Sequence, residues 1–293
     1  MKPRVSIVLP AYNQAHFLPE ALDSIFAQTC QDFELIVVND GSTDDTAEVV
    51  ADYQQRHAFT AIEQANQGLP AALNTGFKQA GGDYLTWTSS DNILLPNMLD
   101  VLSTALDQDP AIGLVYADRY LITDEGVNLG RFDLPDYDPD LLLHVNLVHC
   151  CFLYRSACMA QVGLYDPEFI YGEDWEYWIR ISQYYAMKHI PAALYRYRLH
   201  ETSMTSELVR GTARSMGYQE FSKRLRQRLP VKWYSGKLKW WWLRLTHPRH
   251  PAFVGRADWI RAAARAAGKE QLSAVGWFIS VALSACETGL WIL

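Results

Sequence analysis

The chain has 293 residues, 49% hydrophobic and 20% charged, a balance that excludes a disordered protein and allows one large domain or two small ones. Its net charge of -7 is unevenly placed: residues 1–209 hold 11 Lys/Arg against 29 Asp/Glu, whereas residues 210–293 hold 15 against 4. The five cysteines (Cys30, Cys150, Cys151, Cys158 and Cys286) include no C-x-x-C pair, which excludes a zinc knuckle or disulfide framework and points to reduced thiols in the cytoplasm.

The start, MKPRVSIVLPAYN, passes from two basic residues into a five-residue apolar run. That run is too short for a signal-peptide core and predicts a first buried strand. FLPEALDSIFAQ follows with Leu18, Leu22, Ile25 and Phe26 at helical spacing, and FELIVVND predicts a second buried strand. GSTDDTAEVVADYQQ predicts a helix capped by Ser42 or Thr43, with acids in its first turn. A third cycle comprises an FTAIEQ strand, an LPAALNTGFKQAG helix and a DYLTWT strand. Further on, LDVLSTALDQ predicts a helix, GLVYADRYLIT a strand, DEGVNLGRFDLPDYDPD a polar turn, and LLHVNLVHCCFLYR a strand-capable run. GEDWEYWIRISQYY predicts a helix, and AALYRYRLHE a strand that leads into the basic tail. Strand–helix alternation at this pace predicts an α/β fold with a largely parallel sheet, and the charge split predicts a boundary near residue 209.

In such sheets ligands gather at the carboxyl ends of the strands. Three predicted strands end in a polar signal: VSIVLPAYN, LIVVNDGSTDDT and YLTWTSSDN. Each alone is ordinary turn or cap chemistry; three at one edge argue for a site. No G-x-G-x-x-G, no G-x-x-x-x-G-K-[ST] loop and no G-x-S-x-G elbow accompanies them. Diphosphate charge at this edge would then fall to a divalent cation on hard carboxylate oxygens, and Asp91 is the best-placed acid.

Taken in order over about residues 4–205, SIVLPAYNQAHFLPEALDSIFAQT, ELIVVNDGSTDDT, NQGLPAALNTGFKQAGGDYLTWTSSDN, VGLYDPEF and YGEDWEYWIRIS resemble the family 2 glycosyltransferases of GT-A fold. The resemblance implies a Rossmann-like α/β nucleotide-sugar-binding domain with a mixed central sheet over residues 1–209, with a nucleotide half (1–100) and an acceptor half (101–209). It also implies inverting transfer of a sugar from a nucleoside-diphosphate donor, assisted by Mg2+ or Mn2+. By position, Pro10, Ala11 and Tyr12 match the loop that holds the nucleotide, and Asn66 and Gly68 the element beneath the donor. Asp40 matches the acid that accepts a hydrogen bond from a base with a ring N–H (uracil, thymine or guanine). Leu73 stands where the family often has arginine. Ser89 and Asn92 replace the outer acids of D-x-D-D, while Asp91 keeps the metal position and Ser90 and Asn92 reach toward ribose or diphosphate. His200 resembles the histidine that joins the metal. Asp174 matches the general base and Glu173 a neighbour that shapes the acceptor site. Trp175 and Trp178 read equally as an aromatic face for a sugar or as core. His144, His149, His189, His247 and His250 show no ligand spacing.

In the tail, residues 231–256 interleave Lys/Arg with aromatic rings, Arg261, Arg265 and Lys269 share a helical face, and residues 274–293 are apolar apart from Glu287 and small polar residues. This pattern predicts a helical extension that meets an anionic membrane surface, with a buried C-terminal helix and a membrane span as alternatives. No nucleic-acid motif accompanies the basic residues. The combined expectation is a cytoplasmic enzyme, peripheral on the membrane, that acts on a glycan or lipid-linked acceptor. A degenerate, binding-only relative is one rival. A haloacid-dehalogenase-like phosphatase is another, although Val38 occupies the position where its nucleophilic aspartate belongs.

Overall fold

The structure, a computed structural model of the chain, describes residues 2–143, 145–203, 223–225 and 227. Most of the predicted tail, with His144, His247, His250 and Cys286, lies outside these described residues. The chain divides into two compact units, Met1–Arg119 with Val148–Tyr197, and Tyr120–Leu147 with Arg198–Leu293.

The first unit follows the predicted alternation: β1 (Val5–Ala11), α1 (Leu18–Phe26), β2 (Phe33–Asn39), α2 (Thr46–Arg56), β3 (Thr60–Glu63), α3 (Leu69–Phe77) and β4 (Tyr84–Trp87). Then come β5 (Ile93–Leu94), α4 (Met98–Gln108) and β6 (Ile112–Ile122). Beyond the second unit's β7 (Asn128–Phe132) and α5 (Pro139–Leu142), the chain forms β8 (Phe152–Arg155), α6 (Ser156–Val162), α7 (Glu173–Ser182) and β9 (Ala186–Arg198). The strands lie in the order β3-β2-β1-β4-β8-β6-β9-β5. β1 pairs parallel with β2 and β4, and β2 with β3; β8 runs antiparallel to β4 and β6, and β5 to β9, so the sheet is mixed.

Every residue of β1 is buried, which is why it reads as an unbroken apolar run. Val5, Ile7, Leu9 and Ala11 recur at the strand period and share a core with Leu18, Ala21, Leu22 and Ile25 of α1. Each such large side chain removed from water contributes about 1.5–3 kcal/mol before entropy is counted. On the other face Gly76 admits α3, because a Cβ there would sit 2.4 Å from Val8 Cγ1. Arg155 closes α4: its Nε donates to Ile112 O at 2.8 Å and its Nη2 to Leu106 O and Asp109 O, carbonyls of the helix end that also accept backbone bonds from Asp109 N and Ile112 N.

Several elements differ from the sequence reading. The cap position of α2 is Asp45; Ser42 and Thr43 are occupied elsewhere, bonding to Asn13. β9 begins six residues before the predicted AALYRYRLHE, and the predicted polar turn contains β7, whose residues are exposed or partly exposed apart from buried Leu129. Much of the strand-capable LLHVNLVHCC is irregular, and the strand starts only at Phe152. α5, which the sequence reading lacks, has a legible start: the Asp138 carboxylate accepts from Asp140 N and Leu141 N, with Pro139 in the first turn. Among the described residues no helix is long and apolar enough to cross a membrane.

Candidate functional site at the carboxyl edge

The parallel registers Ala11↔Asn39 and Val8↔Trp87 bring the carboxyl ends of β1, β2 and β4 to one edge. Asp40, just past β2, joins the loops there. Its backbone N–H donates to Ala11 O at 2.9 Å. Its carboxylate accepts from Gln64 Nε2 at 2.7 Å, Gln67 N at 2.9 Å and Gly68 N at 2.9 Å. Pro10–Tyr12, Asp40, Asn66 and Gly68 therefore lie together at this edge, with Asp40 binding the 64–68 loop through both oxygens. Gly41 (φ +73°) is required at this junction, since a Cβ would lie 2.7 Å from Asn66 N. Tyr12 stays 47% exposed and offers a ring to solvent.

A second set of bonds fixes the loop after β1. Asn13 N donates to Ser42 Oγ at 3.0 Å, Thr43 N to Asn13 Oδ1 at 2.8 Å, and Ala15 N to Asp44 Oδ2 at 3.0 Å. Burial works to raise the Asp44 carboxyl, but bonds from Thr46 and Ala15 outweigh it and hold the group below its usual range.

At the end of β4, Asn92 N donates to Ser89 O at 3.3 Å, closing a turn with Ser90 and Asp91 at its centre. Ser90 and Asn92 are buried and Asp91 is partly exposed. Behind the turn, Thr88 Oγ1 and Tyr195 Oη share a hydrogen bond of 2.6 Å. His200, the other residue read as a metal ligand, belongs to the second unit, where its Nδ1 pairs with Thr202 Oγ1 at 3.0 Å. Among the described residues no group of three or more His, Cys, Asp or Glu is arranged to hold a metal ion. Asp91 supplies one hard oxygen ligand, so a cation fits here where a ligand's own phosphate oxygens and water complete its shell.

The Glu173–Asp174 pair opens α7 behind Gly172, a left-handed cap with no capping side chain. Glu173 is buried; that burial, reinforced by the charge of Asp174, pushes its carboxyl well above the usual range. This favours Glu173 as the protonated member of the pair. Asp174 is partly exposed, and its Oδ1 accepts from Trp175 N at 2.6 Å. Trp175 is only 3% exposed and Trp178 is fully buried against Phe152, ring centroids 4.5 Å apart. Neither indole presents a face on which a sugar could stack, so both belong to the packing of α7, in place of the acceptor contact expected of Trp175.

Sequence reasoning missed the residues that hold this helix in place. Arg180 pairs with Glu176 at 2.7 Å and donates to Val162 O and Leu164 O, while Tyr177 Oη donates to Gly163 O. Trp87 Nε1 donates to Tyr165 Oη at 3.0 Å, and the Tyr165 ring stacks on Tyr177 at 4.1 Å. The order V-G-L-Y-D-P was the only signal.

The glycosyl transferase family 2 model matches residues 6–160. A protein of Rickettsia prowazekii described as an uncharacterized glycosyltransferase is 32% identical over 70% of this chain and 66% of its own length. A PGL/p-HBAD biosynthesis glycosyltransferase of Mycobacterium bovis is 30% identical over 76% of this chain and 84% of its own. The chain spans just under two thirds of the first two Rickettsia relatives and about a third of the next. Among solved structures, Staphylococcus aureus TarS 1–349 with UDP-GlcNAc has a TM-score of 0.61 at 16% identity, over 88% of this chain and 79% of that one. The Pyrobaculum calidifontis mannosyltransferase PcManGT with GDP-Man and Mn2+ has a TM-score of 0.60 at 21% identity, over 99% and 84%. The shared fold is the GT-A type.

Proposed function

Because the chain belongs to glycosyl transferase family 2, we propose that it transfers a sugar, with inversion, from a nucleoside-diphosphate sugar to a hydroxyl of a glycan or lipid-linked acceptor. The observation that carries this reading is the Asp40 carboxylate, which fastens the 64–68 loop beside the ends of β1 and β2. Pro10, Ala11, Tyr12, Asn66 and Gly68 would cradle the nucleoside, with uracil, thymine or guanine as the base. UDP-GlcNAc in TarS and GDP-Man in PcManGT support two of these. Asp91 would hold Mn2+ or Mg2+, which when bound supplies positive charge for the leaving diphosphate. Ser90 and Asn92 back that turn.

Asp174 acts as general base, taking the proton from the acceptor hydroxyl as it attacks the anomeric carbon, while the bond to the diphosphate breaks on the opposite face. Glu173, protonated, keeps the pair at a single negative charge and shapes the acceptor side. The M. bovis relative's role in PGL/p-HBAD biosynthesis supports an acceptor of surface-glycan type. The proposed location is the cytoplasmic face of the membrane, met by the basic residues of 210–293.

A binding-only reading is favoured by the neutral Ser89 and Asn92 flanking Asp91. The test is calorimetry of the full chain with UDP, GDP and dTDP, with and without Mn2+, followed by donor-sugar turnover in the presence of membranes. Nucleotide binding with no turnover on any acceptor would select the binding-only reading, and binding of none of the three would refute both.

A further inference from the structure

Charge at the carboxyl edge is one-sided. The segments 10–16, 39–46, 63–69, 88–97, 148–151 and 164–175, which form or flank it, contain nine Asp/Glu and no Lys or Arg. A diphosphate held here would need a cationic contact from outside these segments. Ala117 N donates to Cys151 O at 2.9 Å, and Tyr116 pairs with Phe152, so β6 runs toward the edge where β4 ends and β8 begins. Two residues further along β6 stands Arg119, 5% exposed, its guanidinium carbon 5.3 Å from the centre of the Tyr197 ring.

We propose that Arg119 is the protein's own cationic contact for the diphosphate of the donor, a role that rests on the glycosyltransferase reading above. Its position relative to the acids is read from Cys150. Burial pushes that thiol up to about 11; Arg119 pulls it down, and Asp174 and Asp91 push it up, so one thiol lies within electrostatic reach of all three charges. Cys151, one residue on, also feels Arg119. A guanidinium presents its donors in a planar fork that matches two phosphate oxygens. The Tyr197 ring flanks the guanidinium, whose carbon lies 5.3 Å from the ring centre. Arg119 would then share the donor's charge with a cation at Asp91, which accounts for an edge that has lost the flanking acids of a stronger metal site. The competing role is internal: Arg119 would only balance Asp91 and Asp174.

The two roles separate on the ratio of nucleoside-diphosphate to nucleoside affinity. UDP, GDP, uridine and guanosine are titrated into the full-length wild type, Arg119→Gln and Arg119→Lys with Mn2+ present. Arg119→Gln is expected to weaken the diphosphate on the order of 10–100-fold while leaving the nucleoside unchanged. Arg119→Lys should recover part of that loss. An unchanged ratio, or equal loss for both ligands, overturns the proposal. If Arg119→Gln does not fold, Arg119→Lys is judged by the same ratio, since loss of the fork alone should lower diphosphate affinity several-fold. If the wild type binds neither diphosphate, the glycosyltransferase reading falls first and this role with it; if it binds and the variants match it, only Arg119 is refuted.

Discussion

Asn74 and Tyr165 exchange two hydrogen bonds across 91 positions of sequence: Asn74 Nδ2 donates to Tyr165 O at 2.8 Å, and Tyr165 N donates to Asn74 Oδ1 at 2.9 Å. A helix side chain here completes the backbone of a loop, much as a strand neighbour would. The loop is the one that leads to the Glu173–Asp174 pair. It is pinned from its other sides by Trp87 and by stacking on Tyr177.

Asn74→Ala would leave a buried N–H and a buried carbonyl unpaired, each costing about 1–3 kcal/mol. The expected outcome is a stability loss of about 2–5 kcal/mol in urea unfolding. Turnover should fall further than donor affinity, because the displaced element carries the proposed base. A stability loss under about 0.5 kcal/mol would show that the loop does not depend on this pair.

Asp40→Asn tests the nucleoside loop. The amide keeps the size of the side chain but offers one acceptor oxygen where three donors now converge, and its NH2 would face a backbone N–H. Hydrogen bonds to a charged group contribute about 1.5–3 kcal/mol each, so nucleoside affinity should drop at least tenfold or so. Amide exchange at Gln67 and Gly68 should accelerate. Unchanged exchange there would mean that the loop is held by something else.

How much of this was legible follows from what each residue type signals. β1 and β2 were readable because a strand buried on both faces needs an unbroken apolar run, and VSIVLPA and FELIVVN are such runs. The loops at the carboxyl edge were readable because tight turns demand Gly, Asn, Asp and Ser at fixed places. Asn74 was not, since a polar residue inside a helix normally marks the wet face, and only tertiary structure shows this one 8% exposed. Arg119 was hidden likewise: GLVYADRYLIT reads only as a strand, and the register of β6 against β8 is what carries Arg119 toward the edge. Trp175 left two readings open, and burial chose packing.

Glu173 links the site to pH. Its folded-state carboxyl lies well above the ordinary glutamate value of 4.5, because of burial first and the Asp174 charge second. Below about pH 4 the residue is neutral in both folded and unfolded chains and has no effect. As pH rises through 4.5 the unfolded chain loses the proton while the folded chain keeps it, so stability falls until the folded value is passed; each unit of difference costs about 1.4 kcal/mol. Glu173→Gln should remove that slope and raise the melting temperature at pH 7 relative to wild type. A wild type whose advantage over the glutamine variant grows with pH would contradict the shift.

The assignment of the base rests on an asymmetry between two adjacent acids. Position along the helix treats them alike: both lie in the first turn of α7, where no side chain caps the helix. Burial does not treat them alike. Glu173 is enclosed, and burial pushes its carboxyl well above the usual range, whereas Asp174 is partly exposed and is the proposed base. A protonated acid cannot accept a proton, so Glu173 is a poor base at neutral pH whatever its distance from the substrate. Asp174→Asn should therefore lose turnover by roughly 10²–10⁴-fold with donor and Mn2+ affinity retained. Glu173→Gln imitates the protonated acid already present, so it should keep turnover within about tenfold and mainly change acceptor KM. Both variants are measured together, for donor affinity by calorimetry and for transfer rate at saturating donor. Near-normal transfer by Asp174→Asn would place the base elsewhere. A collapse in Glu173→Gln with Asp174→Asn active would exchange the two roles.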